Sequence, residues 1–395
     1  MCLPSHDDDI DAAATGCAAT QAKTAVITRD QLRAFLRSAP KPRGLRDYGP
    51  TPAADDVEPG SQWHAYLAGH HYTCLHWPRE FGGIDAPVTF QAMFAEECAH
   101  ADVPRQFSIF GPDLVGPVLI KSGSDEQKAT YLEPIRTGAH IWCQLFSEPE
   151  AGSDLASLRT RAVPTGTGWR IDGQKVWSSG AAAADFGILL ARTDNDKHGG
   201  LSMFIAPMNT LGITVRPLRQ IDGESKFNEV FFDAVELPGE SLVGRRGQGW
   251  ALALAMLGRE RLTLGTHAVA MFRRHSALLI AARERGVLDP VLARSMTRLW
   301  ARMWLLRYTW QRAVESGDVT SPEFSVLKLV TSETDRDLSD LATDVLGEDV
   351  CADPGDDDLV RHMLVGRAQT ILGGTSEIQR NILAERVLCL PKEPH

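Results

Sequence analysis

The 395-residue sequence contains neither GxGxxG nor GxxxxGK[ST], so the glycine-rich phosphate cradles of Rossmann and P-loop enzymes are missing. Its seven cysteines (2, 17, 74, 98, 143, 351 and 389) are scattered and form no CxxC pair, which excludes a zinc ribbon and gives no disulfide framework. That usage fits a reducing, cytoplasmic setting. None of the twelve histidines stands in an HExxH pattern, and the acidic run Asp353 to Asp358 has no EF-hand spacing, so no metal is expected. A basic excess is also absent: 41 Lys and Arg stand against 51 Asp and Glu, which argues against nucleic acid or an anionic membrane as partner. No apolar run is long enough to span a bilayer, so membrane insertion is not expected. The N-terminus has an Asp run where a secretory signal would carry Lys or Arg, and residues 1–22 read as a disordered tail.

What is present is a folded-protein composition, 43% apolar and 23% charged, in a chain long enough for two or three domains. Helical periodicity dominates up to about residue 145, in segments such as Asp30 to Arg37, Val88 to Ala101, Gly111 to Ser122 and Asp125 to Leu132. The character then changes. Trp169 to Ile171, Lys175 to Trp177, Phe186 to Ala191, Leu201 to Ala206, Ile213 to Pro217 and Glu229 to Phe232 are short apolar or alternating runs between Gly, Asp and Asn turns. Long helical segments return at Gly247 to Met271, Pro290 to Ser316, Pro322 to Leu346 and Leu359 to Leu372. The expected fold is therefore α+β and multidomain: an N-terminal helical domain (23–145), a middle β barrel or sandwich (146–240) and a C-terminal four-helix bundle (241–390).

Two stretches stand out chemically. CQLFSEPEAGSD (Cys143 to Asp154) and GQKVWSSG (Gly173 to Gly180) combine bare backbone N–H groups, hydroxyls and a flat indole, a set suited to the pyrophosphate and ring edge of a dinucleotide. Each part also has an ordinary structural explanation: a strand Trp is usually core, and Ser-Glu-Pro or Gly-Gly-Thr-Ser usually makes a turn or a helix cap.

Six motifs in order then carry a resemblance: LHWPREFGG (from Leu75), EECAHADVP (from Glu96), SEPEAGSDLASLRTRA (from Ser147), DGQKVWSSGA (from Asp172), GQGW (from Gly247) and GGTSEIQRNILAERVL (from Gly373). Over residues 60 to 390 the chain resembles the acyl-CoA dehydrogenase family. The resemblance implies FAD held between the β domain, the bundle and a neighbouring subunit, in a homodimer or homotetramer. It implies an acyl thioester on CoA or a carrier protein as substrate, and an electron-transfer flavoprotein or similar acceptor as partner. Carried over by position, Phe146 and Ser147 lie along the flavin edge, Gly152 and Ser153 near pyrophosphate or substrate, Trp177 and Ser179 against the ring, and Thr375 and Glu377 reach the cofactor from the C-terminal loop.

The family's reaction takes two hydrogens from Cα and Cβ of an acyl thioester, and a carboxylate must remove the α-proton. Many members carry that Glu two residues before the motif Thr, where this chain has Gly373. Others carry it on the first bundle helix, which makes Glu260 the candidate base. Its helical neighbours Met256, Leu257, Thr263 and Leu264 are mostly apolar, surroundings that raise a carboxylate's pKa. The competing reading is a structural ion pair with Arg259 or Arg261. Arg261 matches an arginine that holds the CoA portion of the thioester, or it neutralises Glu260; Gly373 and Gly374 would line the acyl pocket. Between His275 and Met296 the chain also departs from the stretch with which many members reach a neighbour's FAD. Three functions follow: a dehydrogenase using Glu260, a non-catalytic subunit that completes the FAD site in a hetero-oligomer, or an oxidase or monooxygenase on the same fold.

Overall fold

Alternating apolar residues between Trp142 and Val243 build a single eight-stranded mixed sheet with helices before and after it in the chain. The computed structural model describes residues 27–45, 56–260, 264–316, 323–348 and 358–392. The N-terminal tail expected at 1–22 lies outside the described residues.

The N-terminal helices are α1 (Arg29–Ser38), α2 (Val57–Gly69), α3 (Val88–His100), α4 (Gly116–Ser122) and α5 (Asp125–Thr137), with a π-helical turn at Phe110–Val115 leading into α4. Their ends are written in the sequence. Thr28 and Ser124 cap α1 and α5 through their hydroxyls, each in a reciprocal box with a glutamine three residues on. In α1, Leu32 and Leu36 are one helical turn apart and both are buried.

The strands are β1 (Trp142–Leu145), β2 (Arg161–Pro164), β3 (Gly168–Lys175), β4 (Phe186–Arg192), β5 (Leu201–Pro207), β6 (Ile213–Leu218), β7 (Phe227–Pro238) and β8 (Leu242–Val243), ordered β6-β7-β3-β2-β4-β5-β8 with β1 parallel to β4. Two runs read as separate strands, Trp169 to Ile171 and Lys175 to Trp177, are one strand that ends at Lys175, and Trp177 lies beyond it. Antiparallel pairing with β7 carries β3 through the turn-like Asp172-Gly173, with a register shift there. The six expected runs thus make five strands, and β1, β2 and β8 are additions to them.

The C-terminal helices are α6 (Gly249–Glu260), α7 (Leu264–Glu284), α8 (Pro290–Glu315), α9 (Glu323–Leu346), α10 (Asp358–Val365) and α11 (Ser376–Ile382). In α8 the buried residues Leu292, Met296, Leu299, Met303, Leu306 and Trp310 recur every three or four positions, the seam that packs it into the bundle. One core joins the parts of the chain: Trp77, Leu114 and Trp142 from the N-terminal side, Phe146 and Met203 from the sheet region, and Ala253 and Met256 of α6 share a single cluster.

Candidate active site

The first motif closes into a tight turn because Glu148 and Ala151 exchange backbone hydrogen bonds at 3.1 and 3.0 Å. At its base is a buried ion pair. Lys175, the last residue of β3, is 0% exposed; its Nζ donates to Glu148 Oε1 at 2.8 Å and to the Phe146 carbonyl at 2.9 Å. Glu148 also accepts from the backbone N–H groups of Arg159 (2.6 Å) and Thr160 (2.9 Å). Burial lowers the Lys175 pKa to about 8, with Glu148 offsetting part of that loss. Burial opposes the charge on Glu148 as well, but Lys175 and the Thr160 and Arg159 donors outweigh it and hold the carboxyl below its usual range.

Just past Lys175 the two motifs meet. Val176 N–H donates to the Ser147 carbonyl at 2.9 Å. Trp177 follows in the left-handed region (φ 58°), which places its indole outward, 59% exposed, with its edge against Phe227 at 6.0 Å. Ser178 and Asn228 exchange backbone bonds at 3.0 and 3.1 Å, and the Asn228 side-chain amide donates to the Ser178 carbonyl as well. The Ser178 hydroxyl is buried with no partner among the described residues. Ser147 and Ser179 are half-buried, whereas Gly152 and Ser153 are exposed, and a Cβ added at Gly152 would meet nothing within 4 Å.

The β6–β7 connection links this surface to the bundle: Gly180 N–H donates to the Lys226 carbonyl at 2.9 Å, and Arg361 of α10 donates to Glu224 at 2.8 Å. In the C-terminal motif Gly373 and Gly374 both have positive φ (62° and 90°), a conformation that glycine adopts without strain. The Thr375 hydroxyl caps α11 by accepting from Ile378 N–H at 3.2 Å. Glu377 is exposed, and its carboxyl is held below the usual range by the backbone amide at the helix start and by Thr375. Ser376 Oγ and Gln379 Oε1 are buried with no partner among the described residues.

Glu260 is the last residue of α6; its side chain and Arg261 lie outside the described residues. A cavity of about 520 Å³ opens between α3, α7 and α8, walled by Phe272, Trp304 and Trp310; Glu96 and His100 of the second motif line it, and none of the candidate site residues does. Phe146, Ser147 and Trp177 are thus brought together, with Lys175 beneath them, whereas Thr375 and Glu377 stand at the start of α11, which packs on α9. Lys175, Glu148 and Asn228 were missed as site residues. The first two stand inside the quoted motifs, where a Glu and a Lys near strand ends are the signal that they pair.

Comparison with known proteins accounts for the arrangement. The chain matches the models of the acyl-CoA dehydrogenase N-terminal domain over residues 24–139, middle domain over 143–235 and C-terminal domain over 247–388. It is 40% identical over 352 residues to the acyl-CoA dehydrogenase IpdE1 of Mycobacterium tuberculosis, covering 87% of this chain and 91% of that protein. The chain belongs to the acyl-CoA dehydrogenase family. Among solved structures this acyl-CoA dehydrogenase is similar to the Tcur3481-Tcur3483 steroid ACAD (TM-score 0.80, 29% identity, 92% of this chain and 97% of that one). It is also similar to the ChsE4-ChsE5 complex from Mycobacterium tuberculosis (TM-score 0.79, 26% identity, 92% and 97%). Membership makes the protein a flavin oxidoreductase. Among the described residues no helix is long and apolar enough to cross a membrane.

Proposed function

We propose that the protein catalyses FAD-dependent α,β-dehydrogenation of an acyl thioester, with Glu260 as the base that takes the α-proton. The observation that supports this most is the junction of the two central motifs, where Ser147 and the outward Trp177 meet at the end of β3, followed by Ser178 with its buried, unpartnered hydroxyl. These groups fit a flavin: the exposed indole offers an apolar face, and the serines offer hydrogen bonds to a polar ring edge. Phe146 would back the ring from below, Ser179 would lie beside it, and Gly152 and Ser153 would admit the pyrophosphate or the substrate. Thr375 and Glu377 would approach from the C-terminal loop. Bound there, FAD would accept the β-hydrogen as hydride.

The chain's own residues supply the rest. Phe146 and Met256 share a core cluster, so α6 is packed on the same side of the sheet region as the first motif, and Glu260 follows Met256 by one helical turn. Arg261 is proposed to hold the CoA portion of the thioester. Gly373 and Gly374 leave the acyl pocket without a side chain where other members carry a carboxylate, which favours a wide, ring-bearing acyl group; the steroid acyl-CoA dehydrogenase similarity agrees with that choice. The Gly373 N–H would donate to the thioester oxygen.

A second reading is favoured by the same glycine and by the paired chain names of the similar solved structures: this chain works in a hetero-oligomer and helps complete a shared FAD site. The test is to purify the chain alone, measure bound FAD and oligomeric state, and follow anaerobic bleaching of the flavin with straight-chain and ring-bearing acyl-CoA and carrier-bound thioesters. A flavin-loaded homodimer or homotetramer bleached by a ring-bearing thioester supports the first reading. A chain that takes up flavin only when expressed with a second subunit supports the other. Rapid O₂ consumption by the reduced protein would point to an oxidase or monooxygenase instead, and the acceptor is otherwise proposed to be an electron-transfer flavoprotein.

A further inference from the structure

An ion pair at the core of a sheet is an unusual choice, since burying an ammonium costs more than burying an apolar side chain of similar volume. Its position explains its presence. Strand β1 ends at Leu145 and β3 ends at Lys175, so the Phe146 carbonyl has left the sheet ladder and lies where water does not reach. Lys175 supplies the donor it needs, and the same ammonium holds Glu148, whose two oxygens gather the Arg159 and Thr160 N–H groups. Thr160 in turn donates through its hydroxyl to the Gln174 carbonyl at 3.3 Å. Three segments, 146–148, 159–160 and 174–176, are therefore fastened at one point, one residue before the backbone releases its main-chain bond to Ser147 and turns left-handed at Trp177.

We propose that the Lys175–Glu148 pair is a positioning unit for the flavin surface: it fixes the direction in which β3 hands over to Trp177 and so sets the exposed indole and the Ser147 backbone in the geometry that receives the cofactor. This rests on the FAD reading above. Among the described residues Trp177 has the Phe227 edge as its aromatic contact, and most of the indole is exposed. The strand end behind it is what holds the angle. A left-handed non-glycine residue persists where its surroundings over-determine it, and the ion pair is the densest set of polar constraints beside it.

The test uses the full chain. Fluorotryptophan is incorporated, and the Trp177 signal among the nine tryptophans is assigned by its loss in Trp177→Phe. Lys175→Met, with Glu148→Gln as the milder change should the first fail to fold, is expected to shift and broaden the Trp177 fluorine resonance while that of the remote Trp63 stays fixed. FAD affinity is expected to fall about 10- to 100-fold, as happens when a group that orients a binding residue is removed. In a Trp177→Ala background the same change should cost clearly less affinity, because the part of its effect that passes through the indole is already gone. An unmoved Trp177 resonance, or an equal loss of affinity in both backgrounds, overturns the proposal and leaves the pair as a fastener of the fold. A wild-type chain that takes up no FAD sinks the functional reading instead, and the fluorine spectra then decide the positioning role by themselves.

Discussion

Lys175 makes the stability of the protein depend on alkaline pH in a way that one substitution should abolish. Its ammonium loses a proton at about 8 in the folded protein, against 10.5 in an unconstrained chain. Below the lower value both states are charged and the folded state bears the full cost of burial. Between the two values the unfolded chain holds a proton that the folded protein has released, so stability rises with pH; above both, the gain is complete at about 3 kcal/mol. Lys175→Met has no such group and should lack the rise. It should also be less stable than wild type at neutral pH, by less than the roughly 3–5 kcal/mol typical of a broken buried pair, because Arg159 and Thr160 still donate to Glu148. Urea midpoints of the two proteins at about pH 7.5 and about pH 10 give the answer, with the gap between them widening at the higher pH. Parallel curves would refute the assignment of this titration to Lys175.

Glu260→Gln should leave bound FAD unchanged and slow anaerobic bleaching of the flavin by about 10²- to 10⁴-fold, read by stopped-flow absorbance. Thr375→Ala removes the cap of α11 and should cost about 1 kcal/mol of stability, seen as faster amide exchange at Ile378 and weaker flavin retention. Gly116→Ala should destabilise the N-terminal region by about 1–3 kcal/mol, because the new methyl would fall 1.9 Å from Trp77 Cζ2 and the ring is fully buried; a melting curve with a control substitution at the open Gly152 would show it.

The helical, β and helical order of the chain was readable because periodicity and turn residues are local. Thr28 and Ser124 announce α1 and α5, and Asp289-Pro290 announces α8. The sheet was less legible. Asp172-Gly173 looks like a turn, yet pairing with β7, set by residues far along the chain, carries β3 through it with a register shift. The four residues of β1 are too few to declare themselves, and their pairing with β4 spans more than forty positions. For the same reason Trp177 read as a strand residue. Its left-handed turn is flanked by the Glu148, Ser147 and Asn228 contacts, and no window around Trp177 contains those partners.

The parallel pairing of β1 with β4 also fixes when the surface proposed to receive the flavin can exist during synthesis. Strand β1 and the turn at Phe146–Ala151 emerge early, but the register partners of β1 at Phe186–Leu189, the turn's charge partner Lys175 and the Asn228 that holds Ser178 emerge later. A nascent chain that stops short of β7 therefore carries both motifs without the surface they make. The proposed cofactor site is a late product of translation, assembled when the last long strand closes the sheet, and a truncation or stall before that point should yield a chain that is recognisable by sequence and unable to receive the cofactor.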